Sequence, residues 1–199
     1  MKNILAAVVM AVSVTVFAQD FDKSMADARS SYSSGDLENA RFAMEQMLRD
    51  LDVAIGKEIM KMLPTKLGSM DYNEKQDNVT GNGGGVGTGL FLQRSFGNDM
   101  NNARIDVINN SPLITSLNAI LALPMIANSS DGTQKVVKVQ GYKSVLNRND
   151  NEETGKTGYT LQVPMNNTLF TLEVSECTES EILQMATTVP LSKIAEIAQ

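Results

Sequence analysis

Residues 134–176 read QKVVKVQGYKSVLNRNDNEETGKTGYTLQVPMNNTLFTLEVSE, and the fold turns on how this stretch divides. Two extended runs, Gln134 to Val139 and Tyr142 to Asn147, meet at Gln140-Gly141. Two more, Thr157 to Met165 and Thr168 to Glu176, meet at Asn166-Asn167. Apolar residues alternate along them, and Gly and Asn punctuate the junctions, which is the pattern of consecutive antiparallel strands. A sheet half-covered with apolar side chains must bury that face, and the helical segments on either side of the stretch are the available covers.

Working outward, Thr178-Glu179-Ser180-Glu181 is a capping box for a helix carrying Ile182, Leu183 and Met185, and Pro190 restarts a short helical tail with Leu191, Ile194 and Ile197. Upstream, Leu90 to Phe96 reads as a strand, Gly97-Asn98-Asp99 as a turn, and Ala103, Ile105 and Val107 as the inward residues of the next strand. Ser111-Pro112 starts a helix whose expected buried stripe is Leu113, Leu117, Ile120 and Leu121. Its lack of charge predicts a heavily buried core helix, or a lid over an apolar cavity.

Nearer the N-terminus, Phe21, Met25, Ala28 and Tyr32 have helical spacing, and Gly35 ends that helix. Asp36 caps a second, longer helix with Leu37, Ala40, Met44, Met47, Leu48, Leu51, Ile55, Ile59 and Met62 on its apolar face, stopped by Pro64. The two should pair as an antiparallel hairpin. Leu63 to Val79 reads as a weakly structured connection, followed by the glycine-rich loop Gly81 to Gly89. The expected organisation is a signal peptide over 1–18, a helical hairpin over 19–64, a linker and Gly-rich loop over 65–89, and an antiparallel domain over 90–199. The fold class is therefore α+β, a helical hairpin followed by a mainly antiparallel sheet of about six strands covered by helices.

The first residues carry an address. Lys2 precedes an apolar run from Ile4 to Phe17, with Val16 and Ala18 at the small-residue positions of a cleavage site. This is the build of a secretory signal peptide cut after Ala18, and the run is shorter than the roughly 20 apolar residues of a membrane span. Gln19 follows the cut, so no lipoprotein cysteine is present there. Removing those 18 of 199 residues leaves 181, and losing Lys2 moves the formal net charge from −6 to −7. A periplasmic or secreted location follows, with no membrane span after the signal is removed. The acidic balance, without a Lys/Arg cluster, argues against nucleic acid and anionic membrane surfaces.

The chemistry the sequence excludes is as informative. There is no histidine, so Ser-His-Asp and Cys-His arrangements cannot form, and one cysteine cannot complete a structural zinc site. Cys177, alone, makes no intramolecular disulfide and reads as a buried inert thiol at a strand end. Gly81 to Gly89 lacks the Lys-Ser or Lys-Thr of a P-loop and the dinucleotide spacing, and reads as a flexible loop or edge hairpin. The oxygen-rich segment Asn147 to Glu153 fails the EF-hand spacing and reads as a solvated hairpin loop, with weak calcium binding as the alternative. Twelve methionines, including the pairs Met44 with Met47 and Met60 with Met62, could suggest Cu(I), but Met44, Met47 and Met62 fall on the apolar stripe of the second helix, where Met is a core filler. Asn78, Asn128 and Asn166 match the glycan acceptor pattern, which matters only in a eukaryotic source. No cofactor, metal or catalytic residue is nominated.

Two resemblances can be placed on residues. Tyr32-Ser33-Ser34-Gly35-Asp36-Leu37-Glu38-Asn39-Ala40 resembles the turn of a tetratricopeptide repeat, in one copy. The segments Ala18-Gln19, Leu63-Pro64, Ser111-Pro112-Leu113, Val139-Gln140-Gly141-Tyr142 and Tyr159 to Val163 resemble a family of small secreted envelope proteins of Gram-negative bacteria, and the element order is similar to PsbP and Mog1-like domains. These resemblances imply an address and an α+β fold and carry no catalytic residue. The expectation is a non-catalytic secreted or periplasmic binding module whose partner is a protein or an apolar ligand. The alternatives are a carboxylate-dependent hydrolase and a structural envelope component.

Overall fold

A computed structural model of the chain describes residues 21–81, 89–99, 101–122, 132–152 and 154–198. The signal-peptide reading, Asn128 and most of the Gly81–Gly89 loop lie outside the described residues. Helix α1 covers 21–34 and α2 covers Leu37–Met62. Gly35, at φ +83°, ends α1: its N–H donates to the Tyr32 carbonyl and the Asp36 N–H to the Ser31 carbonyl, the left-handed closure that glycine favours. The Asp36 side chain then accepts the Asn39 N–H and starts α2.

The segment expected to be a weak connection contains three short strands, β1 (Lys66–Leu67), β2 (Met70–Asp71) and β3 (Asn78–Thr80), with a 3-10 turn at Glu74–Gln76. Two- and three-residue strands carry no readable alternation, which is why the sequence does not announce them. Next come β4 (Phe91–Gly97), β5 (Asn102–Asn109) and α3 (Leu113–Ala122). The opening stretch supplies β6 (Gln134–Val139), β7 (Tyr142–Asn151), β8 (Lys156–Met165) and β9 (Thr168–Val174), and the chain ends in α4 (Glu179–Thr187) and α5 (Leu191–Ile197). The fold is α+β.

The main sheet has seven antiparallel strands in the order β3-β4-β5-β9-β8-β7-β6, one more than the sequence promised, the addition being β3. β9 enters between β5 and β8, so the last strand in sequence lies at the middle of the sheet. At the β6–β7 turn Gln140 takes φ +48°, an uncommon conformation for a residue with a long side chain. Its Nε2 donates to the Ala186 and Val189 carbonyls, which fixes the turn to the end of α4.

Strand alternation divides the sheet into two unlike faces. On the first, Leu92, Val107, Phe170 and Val163 form one cross-strand row, and Ile105, Leu172, Leu161 and Leu146 the next, all buried. Ile59 and Leu63, Ile182 and Ala186, and Leu191 and Ile194 pack against these rows, so the C-terminal half of α2 joins α4 and α5 as the cover. Gly56 allows that approach. A Cβ there would stand 2.4 Å from Val79 Cγ1 and 2.6 Å from Leu90 Cδ1.

The second face is apolar only at one end, where Leu117 of α3 packs on Val145 and Leu169. The expectation of a heavily buried α3 is corrected here. Leu117 alone is buried and Leu113 is exposed, because the helix covers the short apolar end of a face that is otherwise polar.

Arg94 joins the helical and strand parts from inside. Its side chain is 7% exposed and that of its partner Asp77 is 16% exposed. Nε and Nη2 donate to the Asp77 carboxylate, Nη2 at 2.6 Å, while Nη1 donates to the Leu63 carbonyl at 3.1 Å just past the end of α2. The guanidinium also stacks 4.7 Å from the Tyr72 ring centroid. One cation thus clamps the α2 exit, the 72–77 segment and β4.

Candidate functional site: a polar sheet row and an apolar helix stripe

Two surfaces are candidates. The first is the uncapped part of the second sheet face. Registration places Ser95 opposite Arg104, Arg104 opposite Glu173, Glu173 opposite Thr160, Thr160 opposite Asn147, and Asn147 opposite Gln134. Six adjacent strands therefore each contribute one polar side chain to a single row. With neighbouring strands about 4.8 Å apart, the row extends about 24 Å.

Its members hold one another. Gln134 Nε2 donates to Asn147 Oδ1 at 2.9 Å, and beside the row Asn149 Nδ2 donates to Thr160 Oγ1 at 2.8 Å. Arg104 sits between two carboxylates, donating to Glu173 at 2.8 Å and lying 3.0 Å from Asp106 Oδ2. Burial pushes the Asp106 carboxyl above its usual range, against the pull of Arg104, and the Glu173 charge adds slightly in the same direction. Asp106 Oδ1 is buried with no hydrogen-bond partner.

The row opens at its β4–β5 end into a cleft of about 440 Å³. Gln93, Ser95, Asn102, Arg104 and Glu173 line the sheet side. Asn73 and Gln76 come from the 3-10 turn, which is tied to β4 by the Asn73 N–H donating to the Ser95 carbonyl at 2.8 Å. The apolar residues at its edge, Phe96 and Ala103, are buried in the core on the opposite face.

The second surface is on α2. Leu37, Met44, Leu48, Leu51, Ile55, Ile59 and Met62 follow one another at three-, four- or seven-residue intervals and so share one helix face. Ile59 is fully buried and Ile55 and Met62 pack against the core. Leu37 and Leu48, in contrast, are 64% and 62% exposed, and Met44 and Leu51 are about half exposed. The stripe is therefore core only over its C-terminal part, because the sheet ends before the helix does. On the other flank of the helix, Ala40 and Ala43 are buried, and residues of α1 and α2, among them Asp27, Ser31, Ala43 and Gln46, line a polar groove of about 520 Å³ between the two helices.

The sites considered from sequence resolve as follows. Asn147, Asn149, Asp150 and Asn151 are strand side chains of β7, not a loop. Asp150 accepts from Thr157 and Arg148, and these hydrogen bonds, Thr157 first, lower its carboxyl. Among the described residues no three His, Cys, Asp or Glu side chains gather closely enough to hold a metal ion. Burial, and after it the Glu181 charge, pushes the half-buried Cys177 thiol up to about 11. No described helix is long and apolar enough to cross a membrane. Comparison with known proteins finds no match to a family model, to a curated protein or to a solved structure.

Proposed function

We propose that the protein is a non-catalytic binding module, exported to the periplasm or beyond the cell, that engages a protein partner through the overhanging stripe of α2. One observation carries this reading: Leu37, Met44, Leu48 and Leu51 continue the core-facing line of Ile55, Ile59 and Met62 into solvent. Full burial of such a side chain contributes about 1.5–3 kcal/mol, and a partner helix or groove recovers what remains exposed here. The stripe lies on a helix surface rather than in an enclosed apolar cavity, which favours a protein over a small apolar ligand.

A photo-crosslinking residue at Leu48, in the protein expressed in its native cells, tests the proposal. One discrete adduct is expected from Leu48 and none from the exposed position Lys143. Equal yield from both positions, or no adduct from either, contradicts it.

The carboxylate-hydrolase reading has one observation in its favour, the pairing of Asp106 and Glu173 beside a concave cleft. Both acids, however, grip the same guanidinium, and Asp106 Oδ1 is closed to solvent. Neither carboxylate is set to pass a proton to a ligand in the cleft.

A further inference from the structure

We infer that the polar row and its cleft bind an uncharged linear oligosaccharide. This inference is independent of the α2 stripe. The side chains lining the cleft supply amides, a hydroxyl, one guanidinium and two carboxylates, Glu173 and Asp99. A primary amide presents a carbonyl acceptor and an NH₂ donor in one plane, which matches the adjacent hydroxyls of a sugar ring, each able to donate and accept.

Other ligand classes fit poorly. Arg104 is the cation at the cleft, and Glu173 and Asp106 already neutralise it, while Asp99 adds a further negative charge at the rim, so an anion meets net repulsion. A peptide would need apolar subsites, and the Phe96 and Ala103 side chains are buried in the core. A metal would need a ligand cluster that the described residues do not form.

The row then extends the site beyond the cleft. Thr160, Asn147 and Gln134 continue it in register across β8, β7 and β6, and the bonds that Gln134 donates to Asn147 and Asn149 donates to Thr160 hold these side chains in place before a ligand arrives. An elongated polar track about 24 Å long suits a chain of sugars better than a single ring. The cleft, at about 440 Å³, falls within the roughly 300–1,000 Å³ of ordinary small-molecule sites and would hold one end of that chain.

The test is a titration of the isotope-labelled full-length mature protein with cellotetraose, maltotetraose and tetra-N-acetylchitotetraose, followed by NMR. Saturable shifts are expected for at least one sugar, concentrated at the side-chain amides of Gln93, Asn102 and Asn147. Gln93→Ala and the exposed rim variant Gln76→Ala, each checked for an unchanged melting profile, should weaken that binding about tenfold and about threefold. Met44→Glu/Leu48→Glu should bind the sugar as the parent does, so failure at the helix stripe and failure at the cleft are read separately. No saturable shift with any of the three sugars overturns the inference. Shifts away from the row, or equal shifts with inorganic phosphate, do so too.

Discussion

Replacing Arg94 by Met should be the most damaging single change to the fold outside the apolar core. The substitution removes two donors to Asp77, the bond to the Leu63 carbonyl and the stacking on Tyr72, and strands the Asp77 carboxylate in a site where it is 16% exposed. Removing one member of a buried ion pair costs about 3–5 kcal/mol, mainly through the charge left behind. For a domain of this size each kcal/mol moves Tm by about 2–4 °C, so a fall of about 6–20 °C is expected in a calorimetric melt. Against total stabilities of about 5–15 kcal/mol, that is a large share. Asp77→Leu should cost a similar amount because it leaves the guanidinium unpaired. The double variant Arg94→Met/Asp77→Leu should recover much of the loss, since apolar groups of similar volume can replace a buried pair. A single-variant shift under about 2 °C, or a double variant that loses the sum of both singles, would refute the clamp.

Other substitutions test separate parts of the account. Gly56→Ala in a helix ordinarily gains up to about 1 kcal/mol, yet here the new Cβ would lie 2.4 Å from Val79 Cγ1, so a loss of about 1–3 kcal/mol is expected in denaturant titration, and a gain would show that α2 does not lie so close to the sheet. Asp106→Asn should raise Tm at neutral pH. Burial lifts the Asp106 carboxyl above its usual value, so the folded state binds the proton more tightly, and its charge costs stability once pH rises through that range. The gain should shrink in melts run near the ordinary aspartate range, and an equal gain at both pH values would contradict the assignment. Cys177, raised to about 11, should alkylate slowly with iodoacetamide at mildly alkaline pH and quickly in denaturant, whereas fast native alkylation would show an exposed thiol.

Much of the fold was legible because its long strands have strong alternation. β6 begins and ends where Gln134 to Val139 predicts, and the predicted caps at Asp36 and Thr178 are formed. What escaped is what local pattern cannot carry. β3 is three residues long and is recognisable only from its pairing with Phe91–Gln93. The stripe of α2 reads as uniform in sequence, because amphipathicity records which side of a helix is apolar and not where the sheet beneath it stops. The polar row was invisible for a topological reason. Ser95, Arg104, Glu173, Thr160, Asn147 and Gln134 are scattered over six strands, and they align only once β9 is known to lie between β5 and β8. Polar residues at outward positions of separate strands are the ordinary dress of a solvated face, and nothing in one sequence marks these six as neighbours.

The central claim, that an apolar helix face left outside the core is the working surface, is tested most directly by native mass spectrometry. The protein and its Met44→Glu/Leu48→Glu variant would be isolated under mild conditions from their own cells. These side chains are half exposed or more, so the variant should melt within about 0.5 kcal/mol of the parent. The account predicts a defined complex of one added protein mass for the parent and a bare monomer for the variant. A bare monomer in both samples, or the same complex in both, would contradict it.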